Sequence, residues 1–578
     1  MRSLVKLAAR LRLPVTAASA AILLGCSGGS GGDGGSQPSV TISGRITYDR
    51  VPLSTSGRGL DYEATVALPV RAINVDLVRA SDQAVLASTT TDGNGAYSVS
   101  APANTNVFVR ARAVSRSAGS PSEPARWDLR ILNNTNGNAL YVLDGPARST
   151  GATAETRDLH AASGWTGSAY TETRAAAPFA VLDTLYTAVR FVTEGADSSV
   201  DLAPLEVFWS PQNRPSDVWN PAEGNIQTTL YRSTALDGFP AGIYVLGQEN
   251  VDTDEYDGHV VAHEFLHFLE DAVSRTDTTG GPHSLNERLD MRLAFSEGFA
   301  SAFGAMVMND SLFRDSFGDR QGQDFHYDVE APAHAEVAGW FNESSVQAVV
   351  WDLYDGPNEP HDAVALGFRP LYDVLVSELR DETPLTAIFP FVAGLKQRPG
   401  VPGAAVDSVV NAEAINGSEI EPYASREANS GVAASSVDLV LPVYADIALN
   451  GPAVRVCGSS SITIDDGPPV ITVPGSYNKL GNRRFLRFTS PGPRPIEIRV
   501  TCELSDPTCV GTPQPDPDFI LSRAFQREFA GTATPFTERL QTNVEAGDYV
   551  LEVYDYSHVD PAAVIRRGRT CMIVNITG

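Results

Sequence analysis

Positive charge is scarce in this 578-residue chain. Only 43 Lys and Arg stand against 70 Asp and Glu, a formal net charge of −27, and the sequence pI is near 4.7. That balance argues against nucleic acid and anionic membrane surfaces as ligands, because both are bound through basic patches. Long apolar runs are missing too: the small, apolar stretch 13–25 is too short to span a bilayer permanently, and a mean hydropathy of −0.11 gives no sign of an integral membrane bundle. Cysteine is rare, with five in all. Apart from Cys26 they are Cys457, Cys502, Cys509 and Cys571, and no Cys-x-x-Cys spacing suggests a thiolate zinc site. An acidic surface could hold calcium (Ca2+), but no segment has the full loop spacing that would support it. Asp92-Gly93-Asn94-Gly95 reads instead as a hairpin turn.

What is present is ordered along the chain. Arg2, Lys6, Arg10 and Arg12 precede the apolar stretch, the pattern of an export signal over residues 1–25. A Gly/Ser-rich tether follows at 26–39. Between Val40 and Ser115 the apolar residues alternate with period two, which predicts a small antiparallel β-sandwich. Residues 116–177 form a connecting region with strand-like pieces at 127–132 and 140–143. After Pro178, the apolar residues Val181, Leu182, Leu185, Tyr186, Val189 and Val192 have helical spacing. Short strands are expected at 205–209, 228–232 and 243–246, and further helices over 370–379 and near 385–395. Alternation returns after Val437, with strands expected at 461–464, 484–489, 496–502 and 549–554. Four cysteines allow three pairings; the expected one joins Cys502 to Cys509 and Cys457 to Cys571.

One stretch carries chemistry. His263-Glu264-Phe265-Leu266-His267 reads H-E-x-x-H within an apolar helical run. Residues four apart share a helix face, so both imidazoles converge on one point, and Glu264 lies close enough to reach a water there. A catalytic zinc (Zn2+) takes three protein ligands and keeps a fourth position for water. The motif is therefore a candidate metallopeptidase centre with Glu264 as base. Two downstream carboxylates compete as third ligand: Glu287, twenty residues past His267, and Glu297, thirty past. Glu297 is preferred, because it sits in an apolar run of small residues where a lone carboxylate needs a cation or donors; Glu287 lies in a polar stretch. His259 is expected behind the site or on the surface, and His283 and His361 sit in loops without a strong signal. For stabilising a developing oxyanion, His326, Tyr327, His334 and Tyr354 are candidates, and the sequence does not choose among them.

His263-Glu264-x-x-His267 followed by Ser296-Glu297-Gly298-Phe299-Ala300 resembles the gluzincin metallopeptidases, closest to the fungalysin-like branch. The resemblance covers roughly 178–380. It implies that His263, His267 and Glu297 bind zinc and that Glu264 is general base and proton shuttle. It also implies an upper sheet whose edge accepts an extended substrate by strand addition. One departure stands out: Ser301 occupies a position where gluzincins often place an Asp that orients a zinc-bound histidine, which leaves Asp257 or Asp271 to do so. The run 91–99 resembles the regulatory-like module of carboxypeptidases, and 546–553 resembles the last hairpin of a pre-peptidase C-terminal sandwich. Leu23-Leu24-Gly25-Cys26 resembles a bacterial lipobox, which implies lipidation of Cys26 and a place on the outer membrane of a Gram-negative cell.

The expected fold class is thus multidomain: an α+β zincin-type catalytic domain over 178–436, flanked by antiparallel β-sandwiches at 40–115 and 437–578. The expected activity is zinc-dependent endoproteolysis of protein or peptide substrates outside the cytoplasm. The alternative is a surface adhesin or polymer-binding lipoprotein with an inactive zincin-like domain.

Overall fold

A computed structural model describes residues 38–55, 58–117, 126–331, 338–428, 440–460, 470–471, 476–532 and 534–578. The export signal, most of the tether, Cys26, His334 and the strand expected at 461–464 lie outside the described residues.

Two β-rich regions enclose a helical middle. In the first, strand Ser39–Arg50 pairs antiparallel with Ala96–Pro102 and with Val66–Pro69, and parallel with Glu155–Thr156 and Leu159–Ala161. The facing sheet holds Ile73–Arg79, Val85–Thr90 and Asn106–Arg116. This sheet does not stop at residue 115. Asn106–Arg116 pairs with Asp128–Asn133, which pairs parallel with Leu205–Trp209, which pairs parallel with Gly242–Val245, and Leu230–Arg232 closes the path antiparallel to it. One ladder therefore crosses the expected boundaries at 116 and 178. The region expected to be a connector both completes the sandwich, through Leu159–Ala161, and feeds the central sheet, through Asp128–Asn133. A second expectation also changes. Asp92 does make a tight turn, its Oδ1 accepting from the N–H of Asn94 at 2.8 Å and of Ala96 at 2.9 Å. The turn passes the chain from one sheet to the other, so it is not a hairpin.

Helix α1 (Ala177–Gly195) packs its apolar face against this sheet, with Pro178 in its first turn where no N–H is needed. Helices α2 (Gly258–Val273) and α3 (Met291–Met308) then cross each other. Nearly every residue of α3 is buried, because α4 (Glu343–Tyr354) covers its other side. Two glycines make these approaches possible. A Cβ at Gly304 would sit 2.8 Å from the carbonyl oxygen of His259 in α2, and one at Gly298 would sit 2.6 Å from that of Glu343 in α4. Helices α5 (Phe368–Val374), α6 (Ile388–Lys396) and α7 (Gly403–Ala412) complete this half. A small antiparallel sheet of Gly247–Gln248, Asp252–Thr253, Leu312–Phe317 and Gln323–Asp328 lies beside α2; its strands carry no alternation long enough to foretell it.

The C-terminal region is a two-sheet sandwich with its own core around Leu486, Ile498, Phe519, Leu551 and Val574. Cys457–Cys571 and Cys502–Cys509 form disulfides, the expected pairing.

Candidate metal centre

The residues of α2 that turn toward α3 are the two histidines. His263 Nε2 and His267 Nε2 lie 3.2 Å apart, and Glu297 Oε2 of α3 lies 3.2 Å from the first and 3.4 Å from the second. One donor atom from each falls within 4.8 Å of the others. The structure thus brings together the three residues singled out in sequence. Two imidazole nitrogens and a carboxylate oxygen are a borderline-soft donor set that suits zinc. Burial alone would push Glu297 up, but the charges of His283 and His267 outweigh it and hold the carboxyl well below its usual range. The rival Glu287 is elsewhere: it is partly exposed and pairs with Lys479 at 2.7 Å. Glu297→Gln is therefore expected to release zinc and Glu287→Gln to keep one ion per chain, read by metal analysis after dialysis.

Glu264 is 8% exposed. Its Oε2 accepts from the Tyr231 N–H at 2.6 Å, so the end strand Leu230–Arg232 reaches over the carboxylate. Burial pushes the Glu264 carboxyl up, against the opposing pull of His263 and His267.

The groups behind the ligands differ from those expected. Asp257 accepts instead from the N–H and Oγ of Ser316, and Asp271 from the Tyr231 hydroxyl. Neither reaches the ring of His263 or His267. Ser301 itself faces His263, its Oγ 3.3 Å from Nδ1, and the Tyr327 hydroxyl donates to Ser301 at 3.1 Å. A hydroxyl relay thus stands where a carboxylate is common. His267 Nδ1 faces Ser296 Oγ at 3.3 Å and Glu270 Oε2 at 3.6 Å, and Ser296 also donates to Glu270. Ligand-orienting groups typically contribute about 10–100-fold in metal affinity. Ser301→Ala is expected to weaken zinc binding by about that factor, measured by competition with a chromophoric chelator.

The oxyanion candidates fare as follows. Tyr327 is engaged behind His263 and stacks on Phe313 with ring centres 4.9 Å apart. His326 pairs with Asp324 at 2.9 Å. Tyr354 packs against Phe191 and Trp351. The group that does meet the cluster is His283. Its Nε2 lies 3.4 Å from Glu297 Oε2, and its Nδ1 is held by Glu343 Oε2 at 2.6 Å. Burial would lower its pKa, but Glu297 and Glu343 together push it up to about 9. Nothing in Gly280-Gly281-Pro282-His283 signals this, since the loop is brought in by tertiary contacts. His259 is a buried histidine whose Nε2 lies 3.0 Å from the Asp310 carbonyl oxygen.

Comparison with known proteins adds a relationship. Residues 205–370 match the family described as the Mycolysin C-terminal domain. The middle of the chain is peptidase-related. The matched span includes all of α2 and α3, and so the triad and Glu264. An uncharacterized protein of Archaeoglobus fulgidus is 33% identical over 111 residues, 18% of this chain and 28% of its own length, so the chain spans less than a third of that relative. Among solved structures, the pre-peptidase C-terminal domain of collagenase from Bacillus anthracis is 16% identical and covers 23% of this chain and 93% of its own, with a TM-score of 0.14. CorA, a surface-associated copper-binding protein of Methylomicrobium album BG8, is 9% identical over 23% of this chain and 97% of its own, with a TM-score of 0.16. Two disulfides and a peptidase-related middle fit an extracellular protein. Among the described residues no helix is long and apolar enough to cross a membrane.

Proposed function

We propose that the chain is a zinc metalloendopeptidase working outside the cytoplasm, anchored to the outer membrane through a lipid on Cys26. The observation that carries the catalytic part is the convergence of His263, His267 and Glu297 donor atoms within 4.8 Å beside a buried glutamate. When bound by these three residues, zinc polarises a carbonyl and lowers the pKa of a water. The protein's own groups do the rest. Leu230–Arg232, at the end of its sheet, offers an edge on which an extended peptide is held by main-chain hydrogen bonds. Glu264 takes the proton of the attacking water and passes it to the leaving amine; its raised pKa favours holding that proton between the two transfers. His283, kept protonated by Glu343 and Glu297, donates to the oxygen on which negative charge develops.

The test is metal content and casein hydrolysis on one preparation. One zinc per chain with hydrolysis that chelation abolishes supports the reading; zinc without hydrolysis favours an adhesin. His283→Ala is expected to lower kcat about 10²–10³-fold, the effect of removing one oxyanion donor, with zinc content unchanged. A loss of zinc in that variant would instead make His283 part of the metal shell.

A further inference from the structure

A second cluster lies just before α2, where Asp254 accepts from Thr229, the residue that precedes the strand Leu230–Arg232. Asp252 opens the short strand Asp252–Thr253 that leads toward α2, Asp254 follows that strand, and Asp315 projects from Leu312–Phe317, the strand that leaves α3. One carboxylate oxygen from each falls within 4.8 Å of the other two. Asp254 is 2% exposed and its Oδ1 has no protein partner, while its Oδ2 accepts from Thr229. The Oδ1 atoms of Asp252 and Asp315 are likewise buried without a partner. Asp257, fully buried just before α2, adds a fourth carboxylate whose Oδ1 is also unpartnered. No described Lys or Arg makes an ion pair with Asp252, Asp254 or Asp315. Buried charges of one sign, with lone pairs to spare, need a cation or must take up protons. Burial pushes Asp252 up to about 6 against a hydrogen bond with Asp254, and burial together with repulsion from neighbouring carboxylates pushes Asp254 and Asp315 well above their usual range, the mark of carboxylates that lack a counter-charge.

We propose that Asp252, Asp254 and Asp315, with Asp257 beside them, form a calcium site that fastens the strand entering α2 to the strand leaving α3. An all-oxygen, carboxylate-rich donor set selects a hard divalent cation, and an irregular one spread over two strands suits calcium better than the strict octahedron of magnesium. The consequence reaches the triad. The strand bearing Asp315 also bears Phe313, whose ring lies 6.2 Å from that of His263 and stacks on Tyr327, the residue that holds Ser301 against His263. An ion at the cluster therefore fixes the layer on which one ligand ring rests.

The experiment uses the full chain, stripped of metal, reloaded with one equivalent of zinc, and then titrated with calcium chloride. Thermal melting and calorimetry are the readouts, so the result does not depend on hydrolysis and stands apart from the peptidase reading. One calcium should bind per chain, with the melting temperature rising by about 2–4 °C or more at calcium about 100-fold above Kd, and magnesium doing less. Asp254→Asn and Asp315→Asn should each abolish the rise. Each removes a like charge, so without calcium each should melt no lower than the unaltered protein. Three results would overturn the proposal: no calcium response in the unaltered protein, which means the carboxylates hold protons; a response that survives in both variants, which places the ion elsewhere; or variants that melt lower without calcium, which makes these carboxylates structural acceptors.

Discussion

Glu264→Gln is expected to lower kcat for peptide hydrolysis by about 10²–10⁴-fold, the usual contribution of a positioned general base, while zinc stays at one ion per chain. The substitution is nearly isosteric. Gln keeps an oxygen to accept the Tyr231 N–H, so the contact between Leu230–Arg232 and α2 survives. What disappears is the group that can take a proton. Glu264 is one residue past His263 and its carboxylate is held by Tyr231, whereas Glu297 is held by His263, so the triad's own contacts do not run through Glu264. A loss under tenfold with zinc retained would move the base elsewhere. A loss of zinc together with activity would make Glu264 a structural part of the metal shell.

The largest effect on stability is expected from Arg292→Met. Arg292 lies in the first turn of α3 and is 3% exposed in its side chain. It binds Asp290 at 2.8 and 2.9 Å, and it reaches Glu552 in the C-terminal sandwich at 2.8 and 3.1 Å. Methionine fills the volume but leaves two buried carboxylates facing each other. Breaking a buried pair by removing one partner costs about 3–5 kcal/mol. The expected loss is about 3 kcal/mol, the low end, because Arg483 still reaches Glu552 at 2.8 Å and Asp290 at 3.8 Å. Denaturant unfolding measures it, and a loss below about 1 kcal/mol would show that the pairs barely offset their own desolvation. Adding Asp290→Asn and Glu552→Gln should restore most of the loss. The same cluster gives a pH signature. Burial opposes ionisation of Asp290, but Arg292 and Arg483 win and hold its carboxyl below the usual aspartate range. A lowered folded-state pKa adds stability that is complete above the unfolded value and is lost as pH falls through the folded one, so acid should erode this contribution only below about pH 4.

How much of this was readable beforehand follows from what each feature depends on. The H-E-x-x-H spacing is a helix-face statement and needs no tertiary information. The preference for Glu297 over Glu287 rests on apolar neighbours; in the structure Glu297 faces His263 and His267, and Glu287 pairs with Lys479. His283 escaped because a histidine in a Gly/Pro loop looks the same whether it faces water or Glu297. In sequence Ser301 looks like a deficit because its partner Tyr327 is 26 residues away, on a strand beyond the end of α3. The shared sheet was hidden for the same reason. The sequence marks 127–132 and 205–209 as strand-like, but nothing local says that Asp128–Asn133 and Leu205–Trp209 pair with each other, parallel, across residues 134–204. Asp252, Asp254 and Asp315 match no loop motif because the third comes from a distant strand.

The ladder that runs from Val85–Thr90 to Leu230–Arg232 bears on the chain's ancestry and its engineering. A module joined by a linker can be exchanged between proteins by recombination, its hydrogen bonds intact on either side of the cut. Here a cut near residue 115 would strip Asn106–Arg116 from Asp128–Asn133 and leave a raw strand edge two strands from Gly242–Val245. Such an edge invites pairing between molecules. The strands from Ser39 to Arg116 therefore belong structurally with the peptidase-related middle, and shortened versions of this protein are better begun before Ser39 than after Arg116.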